Sequence, residues 1–316
     1  MPSPAATGVH APVTSGEAAE VLRRLELDVT RRLDGLLHGD YRGLVPGHGS
    51  ETGETRPYVP GDDVRRIDWN VSARSMEAHV RESIADRELE TWVLVDRSPS
   101  LDFGTVRTTK AGLAVEAVGA IGFLTARTGN RLGAVIVDPD RATVVPARPG
   151  RAHLLAVLHA LLTGTRPGAR VDGPGHQQGT TDLGAALRHL VVPPRRRGLV
   201  VIVSDFLSTD GWGRALRGLT SRHDVVAVEV VDPRELELPP VGTLTVVDPE
   251  TGRTREVPTN RRTRERYAAA AAEQRRGIAD ELRRSGVSHL QLRTDRDWVL
   301  DVARFVQARR ATAGAR

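Results

Sequence analysis

Two hydrophobic textures alternate along the second part of this chain. From Glu88 onward, short apolar runs rich in β-branched residues recur at Leu89 to Val95, Leu132 to Val137, Leu199 to Val203, Val225 to Val231 and Ser288 to Leu292. Between them lie longer stretches whose apolar residues fall at helical spacing, about Thr109 to Arg127, Arg151 to Leu162, Leu183 to Leu190, Gly213 to Leu219 and Thr263 to Arg284. Short strands separated by helices predict βαβ units, so the expected fold class is α/β with a doubly wound, mostly parallel, Rossmann-like sheet. Gly286 follows the longest helix as its expected cap, and a last helix is predicted over Asp297 to Arg309 with Trp298, Val302 and Phe305 on one side. Val144 and Val145 suggest an added edge strand, reached by a tight turn at Asp138 to Arg141. Leu244 to Val247 and Thr254 to Val257 flank a turn and predict a hairpin.

The first part reads differently. A helical pattern over Glu17 to Leu37 places Val21, Leu25, Val29, Leu33 and Leu36 on one face. Residues Asp40 to Gly61 are rich in Gly and Pro and lack that period, so a looped segment with short strands is expected. The organisation expected is therefore a disordered tail over 1–15, a helix and loop-rich segment over 16–87, and an α/β domain over 88–312 that carries the hairpin near 240–258.

Composition narrows the chemistry. With 316 residues, 39% hydrophobic and 27% charged, the chain can bury a sizeable core. It has no cysteine, which removes disulfides, thiol catalysis and thiolate metal sites. Any metal must be held by oxygen or imidazole. No apolar stretch reaches the length of about 20 residues that a membrane span needs, and no secretory leader is evident, so a cytoplasmic protein is expected. The net charge of +5 raises nucleic-acid binding, but Lys110 is the sole lysine among 45 basic residues, and the arginine bias fits a GC-rich coding sequence. Aromatic residues for stacking are scarce at 3%, so no nucleic-acid partner is expected.

Ligands of open α/β sheets sit beyond the carboxyl ends of the strands, so polar residues ending a strand are the first candidates. Val93-Leu94-Val95 runs into Asp96-Arg97-Ser98-Pro99-Ser100, and Val201-Ile202-Val203 runs into Ser204-Asp205. Between them lies Gly179-Thr180-Thr181-Asp182 before a helix start. Taken singly, each of these residues is accounted for as a turn or cap residue. Together they offer two carboxylates and several hydroxyls at one sheet edge, a hard oxygen pocket suited to Mg²⁺ or Mn²⁺.

This series resembles the metal-ion-dependent adhesion site of von Willebrand factor type A domains. The resemblance implies a fold of that kind, with Asp96, Ser98, Ser100, Thr181 and Asp205 as the metal-site positions. A second segment is more specific still: Arg56-x-Tyr58-x-Pro-Gly61-Asp62-Asp63-x-Arg65-x-Ile-Asp68-Trp69, then Ser-Ala-Arg74. It resembles the hallmark of the bacterial domain-of-unknown-function-58 family, whose members carry a type A domain. Its alternating charges and aromatics fit a salt-bridged structural loop, or a surface facing a partner.

What the family resemblance implies is metal-dependent protein binding rather than catalysis, in company with a MoxR-type AAA+ ATPase that assembles, matures or remodels other proteins. Two rival readings are a metal-dependent phosphohydrolase using Asp96 and a scaffold with a vestigial metal site. A haloacid-dehalogenase-like enzyme would need a second carboxylate where Ser98 stands. The phosphate-loop class is excluded because Lys110 sits in Thr108-Thr109-Lys110-Ala111. His153 and His159, six apart on a predicted helix, do not share a face as metal ligands at i and i+4 would.

Overall fold

The computed structural model describes residues 15–37, 55–59, 64, 67–75, 77–81, 90–127, 130–139, 141–163, 169–171, 182–188, 190, 197–208, 211–247 and 253–313. They fall into two compact units, one formed from Met1–Val45 with Leu89–Arg316, the other within Pro46–Glu88.

In the larger unit the chain opens with α1 (Ser15–Leu27), a π-helical turn (Asp28–Leu33) and α2 (Asp34–Leu37). The buried residues of this segment are Ala18, Leu22, Leu25, Val29, Leu33 and Leu37, whereas Val21 and Leu36 are exposed. The expected face was thus right at its middle and wrong at both ends. From Leu25 the buried positions advance by four, which drifts off the face of a regular 3.6-residue helix. The wider π turn absorbs that drift and keeps Val29, Leu33 and Leu37 in line.

In the smaller unit, β1 (Thr55–Pro57) pairs antiparallel with β2 (His79–Arg81), and α3 (Trp69–Ser75) lies between them in sequence.

The chain then enters the sheet of the larger unit. β3 (Glu90–Asp96) leads through a 3₁₀ turn to α4 (Lys110–Arg127), then β4 (Arg131–Asp138), β5 (Arg141–Arg148), α5 (Arg151–Thr163) and β6 (Ala169–Val171). It continues through α6 (Leu183–Arg188), β7 (Leu199–Ser204), α7 (Trp212–Thr220) and β8 (Asp224–Val231). The predicted hairpin is β9 (Thr243–Val247) with β10 (Thr254–Pro258), followed by α8 (Arg261–Arg284), β11 (Ser288–Arg293) and α9 (Trp298–Ala313). Gly286 closes α8 at φ 70°, the left-handed conformation expected of a residue just past a helix.

Among the described residues, seven strands form the sheet in the order β11-β8-β7-β3-β4-β5-β6. Pairing is parallel from β11 to β4 and antiparallel at β4–β5 and β5–β6. The doubly wound, mostly parallel sheet expected from the sequence is therefore present. The strand around Val144 is there too, but β6 lies outside it, so β5 is not the edge.

Alternation along β3 divides the core into two layers. Val93 and Val95 face the side covered by α1, α4, α5 and α9, while Trp92 and Leu94 face the side covered by α6, α7 and α8. A strand buried on both faces must be apolar at every position, which is why the central runs lack polar alternation. Trp92 fits because its neighbour on β4 is Gly133, where an added Cβ would come within 2.7 Å of the indole ring.

The chain leaves β3 towards β4, β5 and β6, then returns to place β7 and β8 on the other side of β3. The direction of winding reverses between β3 and β7, the position at which open α/β sheets bind ligands.

Candidate functional site

Asp96 ends β3 and Ser204 ends β7, so the two predicted strand ends meet at this reversal. Asp96 is buried, and both its carboxylate oxygens are held: Oδ1 accepts from the Ser98 backbone N–H at 2.8 Å, and Oδ2 from the Ser204 hydroxyl at 2.7 Å. The Ser98 and Ser100 hydroxyls are 3.0 Å apart, and Ser100 donates to Asp205 Oδ2 at 2.7 Å. Four of the five predicted metal-site residues, Asp96, Ser98, Ser100 and Asp205, are thus brought together. The fifth, Thr181, lies outside the described residues. Its neighbour Asp182 accepts from the Ala185 N–H at 2.8 Å and caps the start of α6.

The two aspartates differ in charge environment. Burial, reinforced by the nearby charge of Asp205, pushes the Asp96 carboxyl above the usual carboxylate range. Burial also acts to raise Asp205, but Lys110 and the hydrogen bonds from Ser100 and the Leu207 backbone outweigh it and hold this carboxyl below the ordinary range.

Lys110 stands at the first position of α4 with its side chain fully buried. Its ammonium donates to Asp205 Oδ2 at 2.8 Å and to Glu235 Oε1. Burial disfavours the charge, yet Asp205 and Glu235 more than offset it and raise the lysine above its usual range. From Glu235 the ion pairs continue. Arg275 of α8 reaches Glu235 Oε2 at 2.9 Å, Glu229 Oε1 at 2.8 Å and the Asp205 carbonyl at 3.0 Å. Glu229 of β8 also accepts from His289 at 2.9 Å and Gln291 at 3.0 Å on β11.

Asp232, just past β8, ties down the loop after β3. It accepts from the Thr105 N–H and hydroxyl at 2.9 and 2.7 Å, the Arg234 N–H at 2.9 Å and the Thr294 hydroxyl at 2.7 Å. Phe206, immediately after Asp205, adopts φ 56° although it is not glycine. Its buried ring packs edge-on against Trp212 at 5.4 Å, and its N–H donates to the Ser204 hydroxyl at 3.1 Å. A bulky residue in the left-handed region is strained, and such strain gathers at functional sites.

Of the other residues gathered here, the sequence marks Ser204 only as part of the second strand end, and it assigns no site role to Lys110, Phe206, Glu229, Asp232, Glu235 or Arg275. For Lys110 a signal existed: one lysine in a chain that otherwise uses arginine. His153 hydrogen-bonds the Leu132 carbonyl at 3.0 Å, a packing role.

Of the hallmark segment, Gly61, Asp62, Asp63 and Arg65 lie outside the described residues. Arg56 sits on β1 opposite Val80. The Tyr58 N–H donates to the Ala78 carbonyl at 2.7 Å. Asp68 caps α3, accepting from the Asn70 and Val71 N–H groups at 3.0 and 3.2 Å. Trp69 is 72% exposed, and Arg74 is exposed on the same helix.

The donor set is of the kind that a hard divalent ion would take. Its atoms are all oxygen, and among the described residues no cationic side chain pairs with Asp96 as Lys110 pairs with Asp205. Asp96 is thus a buried acid whose charge a bound cation would compensate.

Comparison with known proteins places these residues among relatives. The family model described as "Protein of unknown function DUF58" matches residues 54–277. An uncharacterized protein of Mycobacterium tuberculosis is 50% identical over 295 residues, covering 93% of this chain and 90% of the relative. Among solved structures, the conserved hypothetical protein BatB from Bacteroides thetaiotaomicron is 14% identical with a TM-score of 0.43, covering 71% of this chain and 99% of that one. The VWA domain of SpRpn10 is 12% identical with a TM-score of 0.33, covering 45% and 75%.

Proposed function

Since this chain belongs to the DUF58 family, as its hallmark segment led us to expect, we propose that it is a protein-binding module whose docking edge is the β3–β7 reversal of its sheet. In this reading the contact depends on a divalent cation, Mg²⁺ or Mn²⁺, held by Asp96, Ser98, Ser100 and Asp205, with Thr181 as the fifth residue. When bound, the ion supplies a Lewis-acidic position for an acidic side chain of the partner. The observation that carries the proposal is the state of Asp96: a buried carboxylate at the winding reversal, fixed by Ser98 and Ser204, with no cationic side chain paired to it among the described residues.

The residues divide the work. Ser204 and the Ser98 backbone orient Asp96. Ser100 holds Asp205, and Asp232 fixes the loop that carries Ser98 and Ser100 by gripping Thr105. The partner we propose is a MoxR-type AAA+ ATPase, with this chain acting as the adaptor in assembly or remodelling of other proteins. Among the described residues no helix is long and apolar enough to cross a membrane.

A pull-down from native lysate with the full chain as bait, with Mg²⁺ or with excess chelator, tests the partnership. Retention of an AAA+ ATPase with Mg²⁺ only, lost in Asp96→Ala, is expected. Equal retention with chelator would refute the metal-dependent contact.

A further inference from the structure

The Asp205 carboxylate already has a cation. A ligand set built for a divalent ion alone would leave both aspartates to that ion, yet Lys110 delivers an ammonium to Oδ2 of Asp205, and the same oxygen accepts from Ser100. The side chains are almost fully enclosed, with relative exposure of 0% for Lys110 and 3% for Asp205, so bulk water screens this charge little. The ammonium is also shared. Glu235 holds it from the other side, and Glu235 is in turn held by Arg275.

We propose that Lys110 is a resident counter-cation of the site: it competes with a divalent ion for Asp205 and so weakens ion binding. This rests on the reading of Asp96, Ser98, Ser100 and Asp205 as ion donors. An ion that took Asp205 as a ligand would share that carboxylate with the ammonium in a poorly screened site, where like charges repel. Glu235 makes the competition reversible, because it gives the ammonium a second carboxylate when an ion draws on Asp205. A lysine that served packing alone would need no carboxylate on either side. Lys110 is the one lysine among the chain's 45 Lys and Arg residues, and all the others are arginine. An ammonium also fits between two carboxylates as a compact point charge where a planar guanidinium is bulkier.

The test is Mn²⁺ binding to the full chain, followed by the loss of the free-ion electron paramagnetic resonance signal. Lys110→Met keeps the length of the side chain and removes the charge, and its Mn²⁺ affinity is expected to rise about tenfold over wild type. A merely structural lysine would give the opposite result, since disordering Asp205 would lower the affinity. Should Lys110→Met fail to fold, the double variant Lys110→Met/Glu235→Gln, which also removes the second carboxylate, is compared with Glu235→Gln alone, and the double variant is expected to bind the tighter of the two. Unchanged or weaker binding on removal of the ammonium, in the single variant or across this second pair, would overturn the proposal. The outcome is separable from the ion-site reading itself. Wild-type binding that survives Asp96→Ala would refute that reading, whereas wild-type binding lost in Asp96→Ala but unaffected by Lys110→Met would refute only the role of the lysine.

Discussion

The ammonium of Lys110 and the carboxylate of Asp205 meet at 2.8 Å although they are 95 residues apart, and both side chains are buried. This contact joins the first turn of α4 to the end of β7, next to the place where the sheet reverses its winding. Removing one partner of a buried pair leaves the other charge uncompensated, which typically costs about 3–5 kcal/mol. Lys110→Ala is therefore expected to lower unfolding stability by about that amount in chelator, read as a shift in urea midpoint at constant slope. A shift under about 1 kcal/mol would show that Asp205 is already satisfied by its hydrogen bonds.

Asp232 accepts four hydrogen bonds, and these hold its carboxyl below the ordinary range against the opposing effect of burial. Asp232→Ala strands these donors and is expected to cost roughly 2–4 kcal/mol in the same urea experiment. Amide exchange should show the loop around Thr105 opening first.

Phe206 offers a test of strain. Both Phe206→Ala and Phe206→Gly lose the ring that packs on Trp212, but only glycine is at ease at φ 56°. Phe206→Gly is expected to be more stable than Phe206→Ala by about 1 kcal/mol, the reverse of the order for an ordinary buried position. Calorimetric melting of the two variants side by side checks the order.

Glu116 of α4 sets a pH dependence. Burial, then the charge of Asp28, push its carboxyl up to about 7, despite a hydrogen bond from Trp298 and the nearby Arg24 and Arg107. The folded state therefore holds this proton more tightly than the unfolded chain, in which the group titrates near 4.5. Stability from this group is greatest below pH 4.5 and declines as pH rises towards 7, beyond which no more is lost. The decline attributable to Glu116 is about 3 kcal/mol, and Glu116→Gln is expected to remove it. Urea midpoints at pH 5 and pH 8 for both proteins decide the matter, and an equal fall in the variant would assign the dependence elsewhere.

The sheet was legible because its central strands are buried on both faces, so runs such as Leu199 to Val203 are apolar at every position. The two aspartates were legible for a related reason: each interrupts such a run at its carboxyl end. Lys110, Glu235 and Arg275 were not, because their partners are far along the chain and no local period encodes them; Lys110 and Glu235 are 125 residues apart. The phase of the first helix was misread at Val21 and Leu36 because a π turn leaves no mark in an apolar pattern read at helical spacing. The hallmark segment was legible as a family mark. Asp68 proves to be a helix cap, while Trp69 is left exposed.

The central claim is that Asp96 anchors a divalent ion at the β3–β7 reversal. Calorimetric titration of the full chain with Mg²⁺, for wild type and for Asp96→Ala, tests it most directly. The account predicts saturable binding of one ion by wild type and none by the variant, with both proteins folded by circular dichroism. Absence of binding by wild type, or equal binding by Asp96→Ala, would contradict it.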